Sequence, residues 1–469
     1  MSKEERHLHG RSYVDRRTFL LLALLALASR LLFGLVWHPP SEHIYLDMIG
    51  YVQRAQDLLD NGFFGAHRGL TFHAWGTSAL LAALMGLVGR EPGWALDLLW
   101  SLASVGTVLF TYLTATRVAQ SKWLAPCAGF LALLWYPSML AGSFFLSEGP
   151  FACALMALTW RLLVLWQDQR GAWSVGLLAS LALVLRPEVL LLLAMVAAFF
   201  WLNGRRGPRE WVAAGGPVLV TLVFSLWVFH HHNGRLGIAR TSSLNLTLSR
   251  CQVSRLQIFD SDLRVRYSQS LNDGHLIGPV ALWALSQRDA DDVFAPRPAL
   301  GRKRQTFELE DAQGNAKLVS IGPEGKSLRW SGDMTDPAIH RQLLRRCIAQ
   351  SGVRGQLRAS VLNMSALWFF NSQWPDSSPR NEAWLRASDP FVKLGWVLWL
   401  AGAVFGLGLA WRGRHDAPER WLIALPLITI AAVAAIWFGS VRLRTPYDGF
   451  ALLLALSWIE SRARAHRAA

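Results

Sequence analysis

The chain has 469 residues, of which 17% are charged and 52% belong to the apolar set AVILMFWYC, with 23 tryptophans and a net charge of +15. Soluble domains carry about 25% charged residues, so a string of soluble domains is excluded. The apolar residues fall in long runs joined by short basic loops, the pattern of a polytopic helical membrane protein. The basic surplus sits largely in those loops, which is the positive-inside signal and not a nucleic-acid surface.

The N-terminal tail, 1–17, carries Lys3, Arg6, Arg11, Arg16 and Arg17 and is expected in the cytoplasm. The first apolar run, 19–37, is long enough to span. It is followed by His38-Pro39-Pro40 and not by a small-residue cleavage site, so no cleavable signal peptide is expected.

Residues 44–64 emerge outside and contain Asp47. In a helix, Asp47, Tyr51 and Arg54 stand at i, i+4 and i+7 on one face, beside an apolar stripe of Met48, Val52, Ala55 and Leu59. That is an amphipathic helix lying in the interface with its polar edge toward a cavity. The plainer reading of Asp47 is a helix cap.

The run 75–88 is short for a span that needs about 20 residues. If it crossed, Arg117, Lys122, Arg161 and Arg170 would all lie outside, so it is read as re-entrant or interfacial. Runs 94–116 and 124–146 then cross, and Glu148 emerges on the same face as Asp47. Ser147 and Pro150 also suit a helix start, with an acid favouring the helix dipole.

Further crossings follow at 149–166, 172–185, 189–202 and 211–229, with Arg205, Arg206 and Arg209 inside. Arg186 would cost at least about 2.5 kcal/mol within one long span. Two short spans put it at the outer rim, where Glu188 could simply neutralise it.

Residues 230–388 are polar and expected outside, as a small α+β domain. Segments 305–311, 316–321 and 327–331 alternate like strands, with turns at Gln313-Gly314-Asn315 and Gly322-Pro323. Residues 336–350 read as a helix capped by Asp336 with Pro337 first, and the aromatic stretch 360–374 as interfacial. His230-His231-His232 reads as a solvated helix end more than as a metal site. Cys127 and Cys153 are small apolar packers, whereas Cys251 and Cys347 lie where a disulfide is permitted. No internal repeat is evident.

The bundle closes with 392–411, 421–438 and 450–459, ahead of a basic tail with Arg462, Arg464 and Arg467. The last outer loop carries Arg442 and Arg444, against the positive-inside trend. The expected organisation is a cytoplasmic tail (1–17), an N-terminal membrane domain (18–229) with outer loop 38–74, an extracytoplasmic domain (230–388), and C-terminal membrane helices (389–469). The fold class is an all-α polytopic bundle of about 10–11 transmembrane helices plus the small outer domain.

Acids at the rims of membrane helices are costly and mark candidate sites. Two carboxylates with several arginines on one face suit a lipid-linked phosphate and a hydroxyl or amine acceptor. A carboxylate removes the acceptor's proton, and arginines hold and stabilise the departing phosphate. No zinc, P-loop, dinucleotide or nucleophilic-serine motif is present.

Four local features, in this order, resemble the GT-C superfamily of integral-membrane glycosyltransferases, and within it the protein O-mannosyltransferase and lipid A aminoarabinose transferase group. They are Asp47…Tyr51…Ala55 with Gly62-Phe63, Ser147-Glu148, Leu185-Arg186-Pro187, and Arg442-Leu443-Arg444-Thr445-Pro446. Thr241-Ser242-Ser243-Leu244-Asn245 resembles an asparagine motif early in that group's large loop. The chain departs from the group at Asp47-Met48, where many relatives carry Asp-Glu, and at Phe72-His73-Ala74, where a Pro-Pro is common.

The resemblance implies inverting transfer of a sugar from a polyprenyl-phosphate carrier to a glycan, lipid or protein acceptor on the outer (periplasmic) face of the plasma membrane. Asp47 would be the base, and Glu148 would orient the acceptor or support a divalent cation, a possible cofactor. Arg186, Arg442 and Arg444 would hold the lipid phosphate, with Tyr51, Arg54 and Asn245 binding substrate. Two other readings remain: a transporter or flippase of an anionic lipid-linked substrate, and a non-catalytic assembly factor for a glycan.

Overall fold

Asp15 starts the first helix, α1 (Arg16–Leu32), its carboxylate accepting from the backbone N–H groups of Arg17 (3.2 Å) and Thr18 (3.3 Å). The helix runs on as one π turn, Phe33–Trp37, and ends at His38, ahead of Pro39 and Pro40. The structure, a computed structural model, describes residues 14–44, 47–65, 70–204, 207–250, 255–259, 265–270, 305–310, 316–321, 328–331, 337–368, 383–413, 417–437, 439 and 441–468.

The chain continues through α2 (Asp47–Asn61), α3 (Gly76–Val88), α4 (Trp94–Val118), α5 (Leu124–Leu134), α6 (Tyr136–Ala141), α7 (Glu148–Asp168), α8 (Ala172–Leu185), α9 (Val189–Leu202), α10 (Pro208–Asn233) and α11 (Thr241–Arg250). After the strands come α12 (Pro337–Trp368), α13 (Ala383–Arg412), α14 (Arg420–Ile436), α15 (Val441–Arg444) and α16 (Asp448–Ala468). Among the described residues, five helical stretches are long and apolar enough to cross a membrane: Arg16–Glu42, Trp94–Val118, Glu148–Asp168, Pro208–Asn233 and Lys393–Arg412. The protein is a helical membrane protein. Shorter apolar helices accompany these, among them Gly76–Val88, which at 13 residues is the segment read above as re-entrant or interfacial.

One expected span is broken. Residues 124–146 were expected to cross as a single helix, but the backbone leaves helical geometry at Trp135 (φ −73°, ψ 98°) and restarts as the six-residue α6. Pro137 accounts for the break: it has no N–H to donate to the carbonyl of Leu133, and it stands instead in the first turn of α6. A cation completes the interrupted end. The Nη2 of Arg30, buried on α1, donates to the carbonyl oxygens of Ala132 (3.2 Å) and Leu133 (2.9 Å).

The chain divides into two units. One comprises Met1–Ile238, Gln373–Ile430 and Arg442–Ala469; the other comprises Ala239–Ser372 and Ala431–Val441.

In the first unit, glycines bring helix backbones close, as membrane helices favour. A β-carbon at Gly176 of α8 would stand 2.6 Å from the Ala214 carbonyl oxygen of α10. The pair Gly402-x-x-x-Gly406 on α13 faces Ala455 and the Leu454 carbonyl on α16 at 2.5 Å each in the same sense. Gly106 of α4 backs onto the Cys153 sulfur of α7, which agrees with a packing role for that cysteine; Cys127 is exposed.

In the second unit, five strands, β1 (Arg255–Phe259), β2 (Val265–Ser270), β3 (Gln305–Glu310), β4 (Ala316–Ile321) and β5 (Leu328–Ser331), form one sheet in the order β2-β1-β5-β4-β3. Pairing is antiparallel except between β1 and β5. Helix α12 begins at Pro337 and continues to Trp368 through a kink at Gly352 (φ +57°), a left-handed conformation that glycine tolerates. Thus 360–368 is the end of this long helix and not a separate segment; residues 369–374 lie outside the described residues. Arg250 and Asn363 donate to the carbonyls of Ile436 (2.7 Å) and Trp437 (3.3 Å), satisfying the C-terminal end of α14. Cys251 and the Cys347 side chain, the pair considered for a disulfide, lie outside what is described.

Candidate active site

Helix α2 owes its position to its apolar stripe. Met48, Val52 and Ala55 are buried in a cluster with Leu81 and Met85 of α3, Leu96 and Trp100 of α4, and Phe144 and Phe145. Burying side chains of this size contributes roughly 1.5–3 kcal/mol each, enough to seat the short helix with Asp47, its first residue, in a defined place.

Asp47 is still 22% exposed, and both its oxygens have partners. Arg442 Nη1 donates to Oδ2 at 2.5 Å, and His73 Nε2 lies 3.8 Å from Oδ1. Glu148, the first residue of α7, is only 3% exposed. Its Oε1 accepts from Arg442 Nε, with Arg186 Nη1 3.8 Å away, and its Oε2 accepts from the Ser147 hydroxyl at 3.3 Å. Ser147 therefore makes no side-chain cap at α7; its hydroxyl serves the carboxylate instead. One guanidinium, from α15, thus joins two acids that arrive on different helices.

Arg186 stands in extended backbone (φ −150°, ψ 108°) where α8 ends. Its Nε contacts Glu188 Oε1 at 2.6 Å, so the neutralising partner weighed from the sequence is present, alongside Glu148. Tyr51 and Arg54 share the Asp47 face: the Arg54 guanidinium lies 5.0 Å from the Tyr51 ring centroid, and the His73 ring lies 5.2 Å from it on centroids. Arg54 Nε reaches the Ser78 hydroxyl at 3.4 Å.

Electrostatics follow from burial and these pairs. Burial alone would raise the Asp47 carboxyl, but Arg442, helped by His73, more than reverses that and holds it well below the usual carboxylate range. Burial pushes His73 down, against the upward pull of Asp47. Burial likewise pushes the Tyr51 phenol up, to about 12. Burial would lower the Arg442 guanidinium, yet Glu148 and Asp47 raise it overall, so it stays charged.

One expected site residue lies elsewhere. Arg444, expected on the phosphate, is buried in a separate cluster. Its Nε lies 3.3 Å from Asp448 Oδ1, its guanidinium is 3.9 Å from the Trp396 ring centroid, and Trp135 Nε1 donates to Asp448 Oδ2 at 2.7 Å. Being two residues from Arg442 on a helical turn, it points away from it. Asn245 is half-buried on α11, in the second unit.

Other groups escaped the sequence reading. Asp97, in the first turn of α4, accepts from the Ser41 N–H (2.9 Å) and hydroxyl (2.6 Å), and Trp100 Nε1, one turn on, donates to the Phe144 carbonyl (2.6 Å). His38 stacks on His43 (3.6 Å) and meets Phe144 edge-on (4.6 Å). The segments leading to Asp47 and to Glu148 are therefore pinned on one face of α4. An acid in the first turn of an otherwise apolar helix was the available signal for Asp97. His73 offered none, since nothing in the sequence ties it to Asp47.

The histidine run lies at the end of α10, with His230 and His231 exposed, and two of its rings also hold a neighbouring loop. His232 and His231 bond the carbonyls of Phe63 (2.9 Å) and Phe64 (3.3 Å), and Asn233 donates to the Thr71 hydroxyl (2.9 Å), so the end of α10 grips the loop after α2. Among the described residues no group of three His, Cys, Asp or Glu side chains is placed to hold a metal. The carboxylates of Asp47 and Glu148 are bridged by a guanidinium, so as placed they do not fit a divalent cation.

No protein-family model matches the chain, and no curated protein matches it. Among solved structures, it is similar to an oligosaccharyltransferase of Archaeoglobus fulgidus, in complex with zinc and sulfate, at 10% identity and a TM-score of 0.41. The alignment covers 96% of this chain and 49% of that one, so the chain spans about half that protein's length.

Proposed function

We propose that the protein is a GT-C-type glycosyltransferase that moves a sugar from a polyprenyl-phosphate carrier to a hydroxyl or amine acceptor at the outer face of the plasma membrane. The observation that carries this reading is the meeting of Asp47, Glu148 and Arg442: two carboxylates on one guanidinium, with Arg186 behind Glu148. Buried and paired acids of this kind concentrate at catalytic centres, and the order of the motifs along the chain agrees with the GT-C resemblance.

In the proposed reaction the acceptor hydroxyl attacks the anomeric carbon from the face opposite the phosphate, giving inversion in one displacement. Asp47 receives the acceptor's proton as the bond forms. Arg442 and Arg186 turn part of their hydrogen bonding toward the phosphate and stabilise the charge that gathers on it as it leaves. Glu148 holds Arg442 in register and orients the acceptor. Tyr51 and Arg54 line the acceptor side. Residues 230–388 form the extracytoplasmic domain in this reading, with the N-terminus in the cytoplasm.

The test is transfer from a radiolabelled polyprenyl-phosphate sugar in membranes carrying the protein or its Asp47→Asn variant. Transfer by the native chain and its loss in the variant are expected at equal protein levels. Unchanged transfer in Asp47→Asn would remove Asp47 as the base.

A further inference from the structure

The Asp47 carboxylate poses a chemical difficulty. Ion-paired with Arg442 and held far below neutrality, it is a weak base, and general bases work best when their pKa lies near the operating pH. A second proton acceptor stands beside it. His73 Nε2 is 3.8 Å from Asp47 Oδ1, on the side of the carboxylate that Arg442 leaves open. Its ring is 22% exposed, so the nitrogen is within reach of water as well as of the acid. Catalytic hydrogen bonds in ligand-free structures are commonly this long and shorten when substrate is held.

We propose that His73 is the residue that finally holds the acceptor's proton, with Asp47 orienting it and stabilising the imidazolium. The proposal rests on the glycosyltransferase reading and refines its proton transfer. The acceptor's O–H bond breaks as its oxygen forms the new bond to the anomeric carbon. The proton passes to His73 Nε2, and the imidazolium then donates that Nε2–H to Asp47 Oδ1. The bond from the anomeric carbon to the phosphate oxygen breaks, and its electron pair leaves on the polyprenyl phosphate. The imidazolium then gives the proton to water, restoring neutral His73.

Burial disfavours the imidazolium, and Arg54 and Arg442 add to that; Asp47 is the neighbour that favours it, which is why the two side chains are needed together. Tyr51, whose ring lies tilted at 5.2 Å, stays neutral. The pair thus repeats the logic of a carboxylate that holds and steadies an imidazole without itself keeping the proton.

The experiment compares the full-length protein with His73→Ala, His73→Gln and Asp47→Asn in the transfer assay, with and without added imidazole. His73→Ala is expected to lose about 10²–10⁴-fold in kcat, and millimolar imidazole to restore at least about tenfold of it, in proportion to the free base. His73→Gln keeps the volume and should be equally slow. Asp47→Asn should not respond to imidazole. Elution of each variant as a monodisperse, folded protein excludes collapse as the cause. Full activity in His73→Ala with loss in Asp47→Asn, or no response of a folded His73→Ala to imidazole, overturns the role of His73 and leaves Asp47 as the base. Absence of any transfer by the native protein overturns the reading on which both rest.

Discussion

Arg442 Nη1 stands 2.5 Å from Asp47 Oδ2, so the acid best placed to act is also closely neutralised. Arg442 keeps Asp47 ionised despite burial, and substituting Arg442→Gln removes the charge that does so. Burial then dominates and the carboxyl rises. The acid limb of the pH–rate profile should move to higher pH in Arg442→Gln, with a lower maximum. A profile with the same limb as the native protein would show that Arg442 does not set the state of Asp47.

The same pairing predicts the acid stability. The Asp47 pKa is lower in the folded state than the unfolded value of about 3.9. Its contribution is therefore present above that pH and is lost as the pH falls toward the folded value. The melting temperature in detergent should drop progressively as the pH falls below about 4, and Arg442→Gln should start lower and drop less. An equally steep fall in the variant would place the acid sensitivity elsewhere.

Asp97 tests whether the α4 face sets the distance between the two acids. Asp97→Asn keeps the shape but weakens a charge-assisted bond to Ser41, an interaction of about 1.5–3 kcal/mol. Because Ser41 leads into Asp47, kcat should fall about ten- to a hundredfold, as expected when positioning is lost. The KM for donor should change little, since no phosphate contact is touched. A change confined to KM would contradict this placement.

Arg444 separates structural from functional arginines. Breaking its buried pair with Asp448, by Arg444→Met or Asp448→Asn, should cost about 3–5 kcal/mol of stability by leaving one charge alone. The double replacement Arg444→Met with Asp448→Leu should recover much of that. Donor KM should be unaffected in the double variant; a large rise would return Arg444 to the phosphate.

What the sequence conveyed, and what it did not, divides along one line. Asp47, Tyr51 and Arg54 were legible together because helical spacing alone puts them on one face. Glu148, Arg186 and Arg442 were legible as rim charges, because charge beside an apolar run is conspicuous. Which arginine faces which acid was not legible: Arg442 and Arg444 read identically in the sequence, and only the turn of α15 sends one to Glu148 and the other to Asp448. The break at Trp135 was missed because the run 124–146 is apolar throughout and hydropathy does not register a lost backbone hydrogen bond. Pro137 was the signal, and its consequence depended on a distant residue, Arg30.

That dependence gives a last prediction. The Leu133 carbonyl cannot be reached by Pro137, and it accepts instead from Arg30 Nη2 at 2.9 Å. Arg30→Met should leave this part-buried acceptor without its donor, at about 1–3 kcal/mol, while the Ala132 carbonyl keeps the Trp135 N–H at 3.4 Å. Pro137→Ala restores an N–H at the position four residues beyond Leu133, so the helix itself can satisfy that carbonyl. The double variant should therefore be more stable than the sum of the single changes predicts, by about 1–2 kcal/mol in a double-mutant cycle. Strict additivity in thermal unfolding would mean that Arg30 and Pro137 do not share the Leu133 carbonyl, and that Arg30 is kept inside the first helix for another reason.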